Sequence, residues 1–360
     1  MKNVSKGTGC AILGCAGLLV LFFVSLLWVV QRVGEWLPDL AEEPELAEVP
    51  ESEAYVEVDS LEEFDREDDG ARFQLSFGFL DYNGREQHVS CSLSKRDYQR
   101  EIASFGYFQK EMDRELERRI RDAFLQEAEA RGLLRYVRFE TYGGTGYRWD
   151  SEIPAGLDFD EKERIKQALE DFDDWLDQDL DRKRDELMDQ YLRERGFRLQ
   201  KDGISVDYGQ IVDRATSPLR DCYAALRQAG NGDSERRLLG LFLAFFQELR
   251  YELPPEVEGG RQTLGFRVPT AVLARGAGDC DSKSAAFCAM WRNLPRRSIL
   301  ILLPEHALVG VEGKPGPDEA YVRLGNRYYI LCEVAGPGKI PPGGERISGS
   351  FEYVMIEPAP

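Results

Sequence analysis

Cys280 is the residue whose setting in this chain most favours chemistry. Gly276 and Gly278 loosen the backbone just before it, and residues 284–291 form a run of small and apolar residues typical of a buried helix. A thiol in the first turn of a helix lies at the positive end of the helix dipole, which favours thiolate over thiol. We therefore predict that Cys280 is a nucleophile.

Two later residues can complete a catalytic set around this thiol. His306, one of two histidines in the chain, begins the strand-like run His-Ala-Leu-Val-Gly-Val, and Glu333 follows the apolar run Tyr328–Cys332. Thiol, base and orienting acid are the groups that nucleophilic acyl transfer requires. The backbone N–H of Cys280 and the side chain of Gln247 are the predicted oxyanion donors. Taken singly, His306 and Glu333 also fit ordinary strand residues, and that alternative stays open.

The segment FRVPTAVLARGAGDCDSK, residues 266–283, resembles the nucleophile segment of the transglutaminase-like superfamily, a papain-related group that includes bacterial peptidases. The resemblance covers roughly residues 204–358. It implies an α+β fold in which helices precede an antiparallel sheet, with Cys280 as nucleophile and His306 as base. Glu333 then stands where the family usually has aspartate, so a longer side chain must reach the same imidazole nitrogen.

The charge of the chain argues against binding to nucleic acid. Its formal net charge is −19 and its pI is about 4.7, with no basic stripe to contact phosphates. A metal site formed by Asp279, Cys280, Asp281 and His306 is a further alternative, but their spacing matches no recognised ligand pattern. We predict no metal and no cofactor, and a protein or peptide as substrate.

The N-terminus has the pattern of a membrane anchor. Residues 10–30 carry no charge and are almost wholly apolar, long enough as a helix to cross a bilayer. Lysines precede this span and acidic residues follow it, so the positive-inside rule predicts a cytoplasmic tip (1–9) and the rest of the chain outside the inner or plasma membrane. A cleaved signal peptide is the competing interpretation, but no small-x-small site follows the span. Residues 31–70 are predicted to form an acidic linker.

Residues 71–203 are predicted to form a hairpin followed by long charged helices. Alternating apolar residues on both sides of Asn83-Gly84 indicate the hairpin, and His88 falls on its solvated face. Apolar residues recur at helical spacing after Ser94 and again from about Asp160 to Arg195, where Gly196 marks the stop. A partner protein docking on residues 95–195 is the functional alternative to simple pairing of these helices.

The cysteines do not suggest a disulfide framework or a zinc site. Five of the seven follow the predicted anchor, an odd number without paired spacing. Cys222, Cys288 and Cys332 lie in apolar runs, and we interpret them as small core residues.

From residue 204 to 358 the pattern changes to apolar helices followed by strand-like runs, with Cys280 at the junction. Two functions from different classes follow. The first is a membrane-anchored thiol acyl-transfer enzyme, a peptidase or transamidase. The second is a non-catalytic envelope scaffold that keeps the same fold and binds a partner.

Overall fold

The computed structural model describes residues 45–46, 63–201, 203–230, 234–336 and 338–359. The predicted tip, the predicted membrane span and most of the predicted linker lie outside these ranges. No helix within the described ranges has the length and apolar character needed to cross a bilayer.

The described residues form a mixed α+β structure, as predicted. The strands are β1 (Glu45–Leu46), β2 (Glu63–Asp68), β3 (Arg72–Leu80), β4 (Glu86–Ser94), β5 (Val137–Tyr142), β6 (Gly146–Ser151), β7 (Phe197–Gln200), β8 (Gly203–Val206), β9 (Arg250–Tyr251), β10 (Val257–Glu258), β11 (Arg261–Gln262), β12 (Ala277–Gly278), β13 (Ser298–Leu303), β14 (His306–Glu312), β15 (Tyr321–Leu324), β16 (Arg327–Cys332) and β17 (Glu352–Ile356). The helices are α1 (Lys95–Ser104), α2 (Gln109–Ala130), α3 (Phe159–Trp175), α4 (Asp181–Arg193), α5 (Tyr208–Thr216), α6 (Arg220–Ala229), α7 (Glu235–Glu248), α8 (Pro269–Arg275) and α9 (Cys280–Trp291), with a π-helical turn at Leu176–Leu180 between α3 and α4.

A six-stranded antiparallel sheet supports the C-terminal part of the chain. Its strand order is β1-β15-β16-β14-β13-β17. Helix α9 packs on β13 and β14 and also contacts α5 and α8. Every residue of α9 from Ser282 to Trp291 is buried, because small and apolar side chains let a helix be surrounded on all sides. The order along the chain is the predicted one: helices come before the main strands of the sheet, and Cys280 lies at their junction.

The predicted hairpin is confirmed, but it packs in the same core as the C-terminal helices. Phe77 and Phe79 of β3 both contact the ring of Phe245 in α7, with ring centroids 5.0 and 5.6 Å apart. The compact unit that begins at Glu45 runs to the C-terminus, so the predicted boundary between residues 203 and 204 lies inside it.

A disulfide between Cys91 and Cys222 joins β4 to α6. Cys222 is a buried core residue, as predicted, but its disulfide was not predicted. The partners are 131 residues apart and meet only through tertiary packing, so their spacing in the sequence carried no signal.

The linker prediction was wrong at its C-terminal end, because residues 63–68 form the edge strand β2 beside β3. All six residues of β2 are exposed and four are acidic, so its composition resembles a linker. Backbone pairing and the contact of Phe64 with Phe77, centroids 5.1 Å apart, hold the strand in place.

The long charged helices form a lobe with a hydrophobic cluster of its own. Buried residues of this cluster come from the C-terminal half of α2, from α3 and from the π-helical turn, and Phe139 of β5 stacks on Phe124. The predicted stripes and the stop at Gly196, whose φ is +85°, are confirmed. The π-helical turn was not predicted.

Candidate functional site

A short parallel strand pair and a glycine turn deliver Cys280 to the start of α9. Helix α8 ends at Arg275 and is capped by Gly276, whose φ of +60° is left-handed. A Cβ on Gly276 would lie 2.6 Å from the ring of Phe64, so glycine is required by both backbone and space. Strand β12 then pairs with β9, which sets Gly278 opposite Tyr251. Cys280 is partly exposed, although its helix is buried from Ser282 onward.

His306 and Glu333 lie at the same end of two neighbouring strands. His306 begins β14 and Glu333 follows β16 directly, and these strands pair antiparallel. The distance from His306 Nε2 to Glu333 Oε2 is 2.6 Å. The other carboxylate oxygen, Oε1, accepts the backbone N–H of Ala335 at 2.6 Å, and the Glu333 side chain is buried. Both carboxylate oxygens therefore have a fixed partner, and the carboxylate in turn holds the imidazole ring in one orientation.

Cys280 lies beside the His306 ring, close enough to raise the pKa of the imidazole. Since Nε2 faces Glu333, Nδ1 is the ring nitrogen left for the sulfur. Cys280 and the hydrogen bond to Glu333 raise the pKa of His306 to about 10, against the opposing effect of burial. The structure thus brings the three predicted residues together, in an arrangement that favours an imidazolium beside the sulfur. Their catalytic roles stay a prediction.

Gln247 has a different role from the predicted one. Its amide nitrogen donates to the carbonyls of Glu333 and Ile340, at 2.7 and 2.9 Å, and its oxygen accepts from the Tyr82 hydroxyl at 2.9 Å. Both amide hydrogens are used, so the prediction of Gln247 as an oxyanion donor was wrong. The residue instead holds the backbone at Glu333. An amide at the end of an apolar buried helix must find buried partners, and those partners here are backbone groups.

Tyr251 is the site residue that the sequence reasoning missed. Its phenol lies close enough to Cys280 for that residue to raise its pKa, and 45% of Tyr251 is exposed. Burial, followed by the nearby Cys280, raises the pKa of Tyr251, so the phenol keeps its proton. A phenolic O–H beside the nucleophile can donate to an oxyanion that forms there, together with the backbone N–H of Cys280. Only the pairing of β9 with β12 reveals this neighbour.

Lys283 lies beneath the site as a fully buried cation. Its ammonium donates to the backbone carbonyls of Leu249 and Ala335, the latter at 2.6 Å. Burial lowers the pKa of Lys283 to about 8, although the charges of Glu333 and Asp279 oppose that shift. The side chain therefore ties Leu249, at the end of α7, to Ala335, just after Glu333.

No group of three or more His, Cys, Asp or Glu side chains is arranged to hold a metal ion in the part of the chain that the structure describes. Comparison with known proteins found no matching family model, no matching curated protein and no matching solved structure.

Proposed function

We propose that this chain is a thiol-dependent acyl-transfer enzyme of transglutaminase-like type, acting on amide bonds of protein or peptide substrates. The observation that supports it most is the position of His306, which hydrogen-bonds Glu333 at 2.6 Å and has Cys280 beside its ring. Three residues of suitable chemistry from separate segments are thereby brought together. Papain-like architecture is part of the same proposal.

In the proposed reaction the Cys280 thiolate attacks the substrate carbonyl carbon, and the carbonyl π electrons move to oxygen. The N–H of Cys280 and the Tyr251 hydroxyl stabilise the oxyanion. As the C–N bond breaks, His306 gives its proton to the departing amine, leaving a thioester. Water or an amine then attacks the thioester, His306 accepts its proton, and the thiolate leaves. Glu333 keeps the ring oriented throughout.

We propose that the enzyme acts outside the cytoplasm, held at the membrane by residues 10–30. The Cys91–Cys222 disulfide supports this location, because structural disulfides persist mainly in oxidising compartments. The proposal joins that observation to the charge asymmetry around the predicted anchor.

The alternative function, a partner-binding scaffold, is favoured by the helical lobe. Phe159 and Tyr142 of this lobe are 76% and 60% exposed. A protein partner docking within residues 95–195 would cover such side chains.

Alkylation of Cys280 by iodoacetamide at pH 6 separates the two functions. At that pH an ordinary cysteine is well under about 1% thiolate, so a thiolate paired with imidazolium should react at least about tenfold faster than the same cysteine in His306→Ala. His88→Ala is the matched control, since His88 is exposed on β4 away from any predicted role, and its rate should equal that of the unsubstituted protein. Equal slow rates in all three proteins would favour the scaffold.

A further inference from the structure

Tyr251 is carried to the site by a very short piece of sheet. Strand β9 pairs with β12 over two residues, and the N–H of Glu252 donates to the carbonyl of Gly278 at 3.2 Å. The centroid of the Tyr251 ring lies 5.9 Å from the ammonium of Lys283, in the first turn of α9. So short a strand pair is marginally stable by itself, and a ring that is 45% exposed is not held by packing alone. The position of the phenol therefore requires a further support.

Arg267 supplies this support from the protein interior. Its guanidinium donates through Nη1 to the carbonyl of Ala277 in β12, at 3.1 Å. Through Nη2 it donates to Oε1 of Glu252, the residue after Tyr251, at 2.7 Å. The planar guanidinium presents its donors in a fixed fork, so it holds two acceptors at a fixed separation. The Arg267 side chain thereby joins the chain on both sides of the short strand pair.

Two other arginines also approach Glu252, but they are weaker supports. Arg250 Nη2 lies 2.8 Å from Oε2, and Arg275 Nη1 lies 3.8 Å from Oε1. Their side chains are 65% and 44% exposed, against 8% for Arg267, so water weakens both of these pairs more. The hydrogen bond from Arg267 is also the main influence that lowers the pKa of Glu252.

We propose that Arg267 is a positioning residue that holds the Tyr251 phenol beside the Cys280 sulfur, where the phenol stabilises the oxyanion. This inference rests on the proposed function, which gives Tyr251 that role. Arg267 acts through the placement of β9 against β12 and makes no contact with the substrate. Its backbone N–H donates to Ser282 Oγ at 2.9 Å, and this bond does not depend on the side chain. A side-chain substitution therefore tests the link to Glu252 while the bond to the start of α9 remains.

The test is a double-mutant cycle on the hydrolysis of p-nitrophenyl acetate by the full-length protein. Arg267→Lys keeps the charge but lacks the fork that reaches both acceptors. Removal of one oxyanion donor lowers kcat by about 10²–10³-fold, so displacement of the phenol should lower kcat at least about tenfold. KM should stay within about twofold, because the donor acts in the transition state. In the Tyr251→Phe protein, Arg267→Lys should lower kcat by less than about twofold further, since no phenol remains to be positioned.

Arg275→Lys is the matched control, because Arg275 shares the carboxylate of Glu252 but donates no hydrogen bond to β12 among the described residues; its kcat should stay within about twofold. Glu252→Gln is the second variant. It keeps an acceptor for Arg267, and it should give a smaller loss that also disappears in Tyr251→Phe. A purely structural role would give the same fold-loss with and without the phenol. That result, or an unchanged kcat in Arg267→Lys, would overturn the inference.

Carbon-13 NMR of labelled tyrosine rings reads the position of Tyr251 without any turnover. Burial raises the pKa of this phenol, so in Arg267→Lys it should titrate closer to the ordinary value of about 10. In Arg275→Lys its titration should be unchanged. This readout supports the inference even if His306→Ala leaves acetylation of Cys280 unchanged and the proposed function fails. A Tyr251 titration that is the same in Arg267→Lys as in the unsubstituted protein would overturn the inference.

Discussion

Removal of the Cys91–Cys222 disulfide should destabilise the protein by several kilocalories per mole. The bond closes a loop between residues 131 positions apart. The chain-entropy treatment of a loop of this length gives about 5 kcal/mol, and typical native disulfides contribute about 2–4 kcal/mol. For a unit of about 300 residues, the unfolding entropy of about 0.6 kcal/mol per degree converts a loss of 3–5 kcal/mol into a fall of about 5–8 °C in the melting temperature.

The assay is thermal unfolding of the Cys91→Ala/Cys222→Ala protein, with and without reductant. Reductant should lower the melting temperature of the unsubstituted protein toward that of the double variant and leave the double variant itself unchanged. The second arm serves as the control, because the remaining described cysteines, Cys280, Cys288 and Cys332, are free. The loop argument would be refuted if the double variant melted within about 2 °C of the unsubstituted protein and reductant lowered the melting temperature of the unsubstituted protein by less than about 2 °C.

Three further predictions concern the site and its supports. Glu333→Gln removes the carboxylate that helps to raise the pKa of His306 to about 10. The alkaline limit of ester hydrolysis should therefore move down by about 1–2 pH units. An unmoved limit would remove Glu333 from the site. Glu101 is buried against Thr270, and burial raises its pKa to about 7. Because the Glu101 carboxyl ionises at lower pH in the unfolded chain than in the folded one, the free energy of unfolding should fall by about 3 kcal/mol as pH rises from 4.5 to 7. Urea unfolding of Glu101→Gln should lack most of this fall. Lys283→Met leaves two buried carbonyls without their donor and should lower the free energy of unfolding, measured in urea, by about 2–4 kcal/mol. An unchanged value would mean that the cost of burying the ammonium equals the gain from its hydrogen bonds.

The parts of the fold that local patterns describe were predicted well. Alternation before and after Asn83-Gly84 located β3 and β4, and the apolar runs at 298–303 and 306–312 match the strands β13 and β14. Periodicity also located the buried face of α2. Strand β2 was missed because an exposed acidic edge strand has the composition of a linker.

The site was predictable only where a residue type was rare or its setting unusual. Cys280 stood out by its glycine turn, and His306 because the chain has two histidines. The roles of Tyr251 and Gln247 depend on pairings between distant segments, β9 with β12 and α7 with the chain after Glu333, so a single sequence could not reveal them.

Trapping of an acyl-enzyme tests the central claim most directly. The protein is mixed with p-nitrophenyl acetate at pH 6, quenched in acid and examined by intact mass and peptide mapping. We predict one acetyl group on Cys280, formed rapidly in the unsubstituted protein and at least about tenfold more slowly in His306→Ala. Acetylation that is absent, that falls on another residue, or that proceeds at the same rate without His306 would contradict the claim that the sulfur and the imidazole act together.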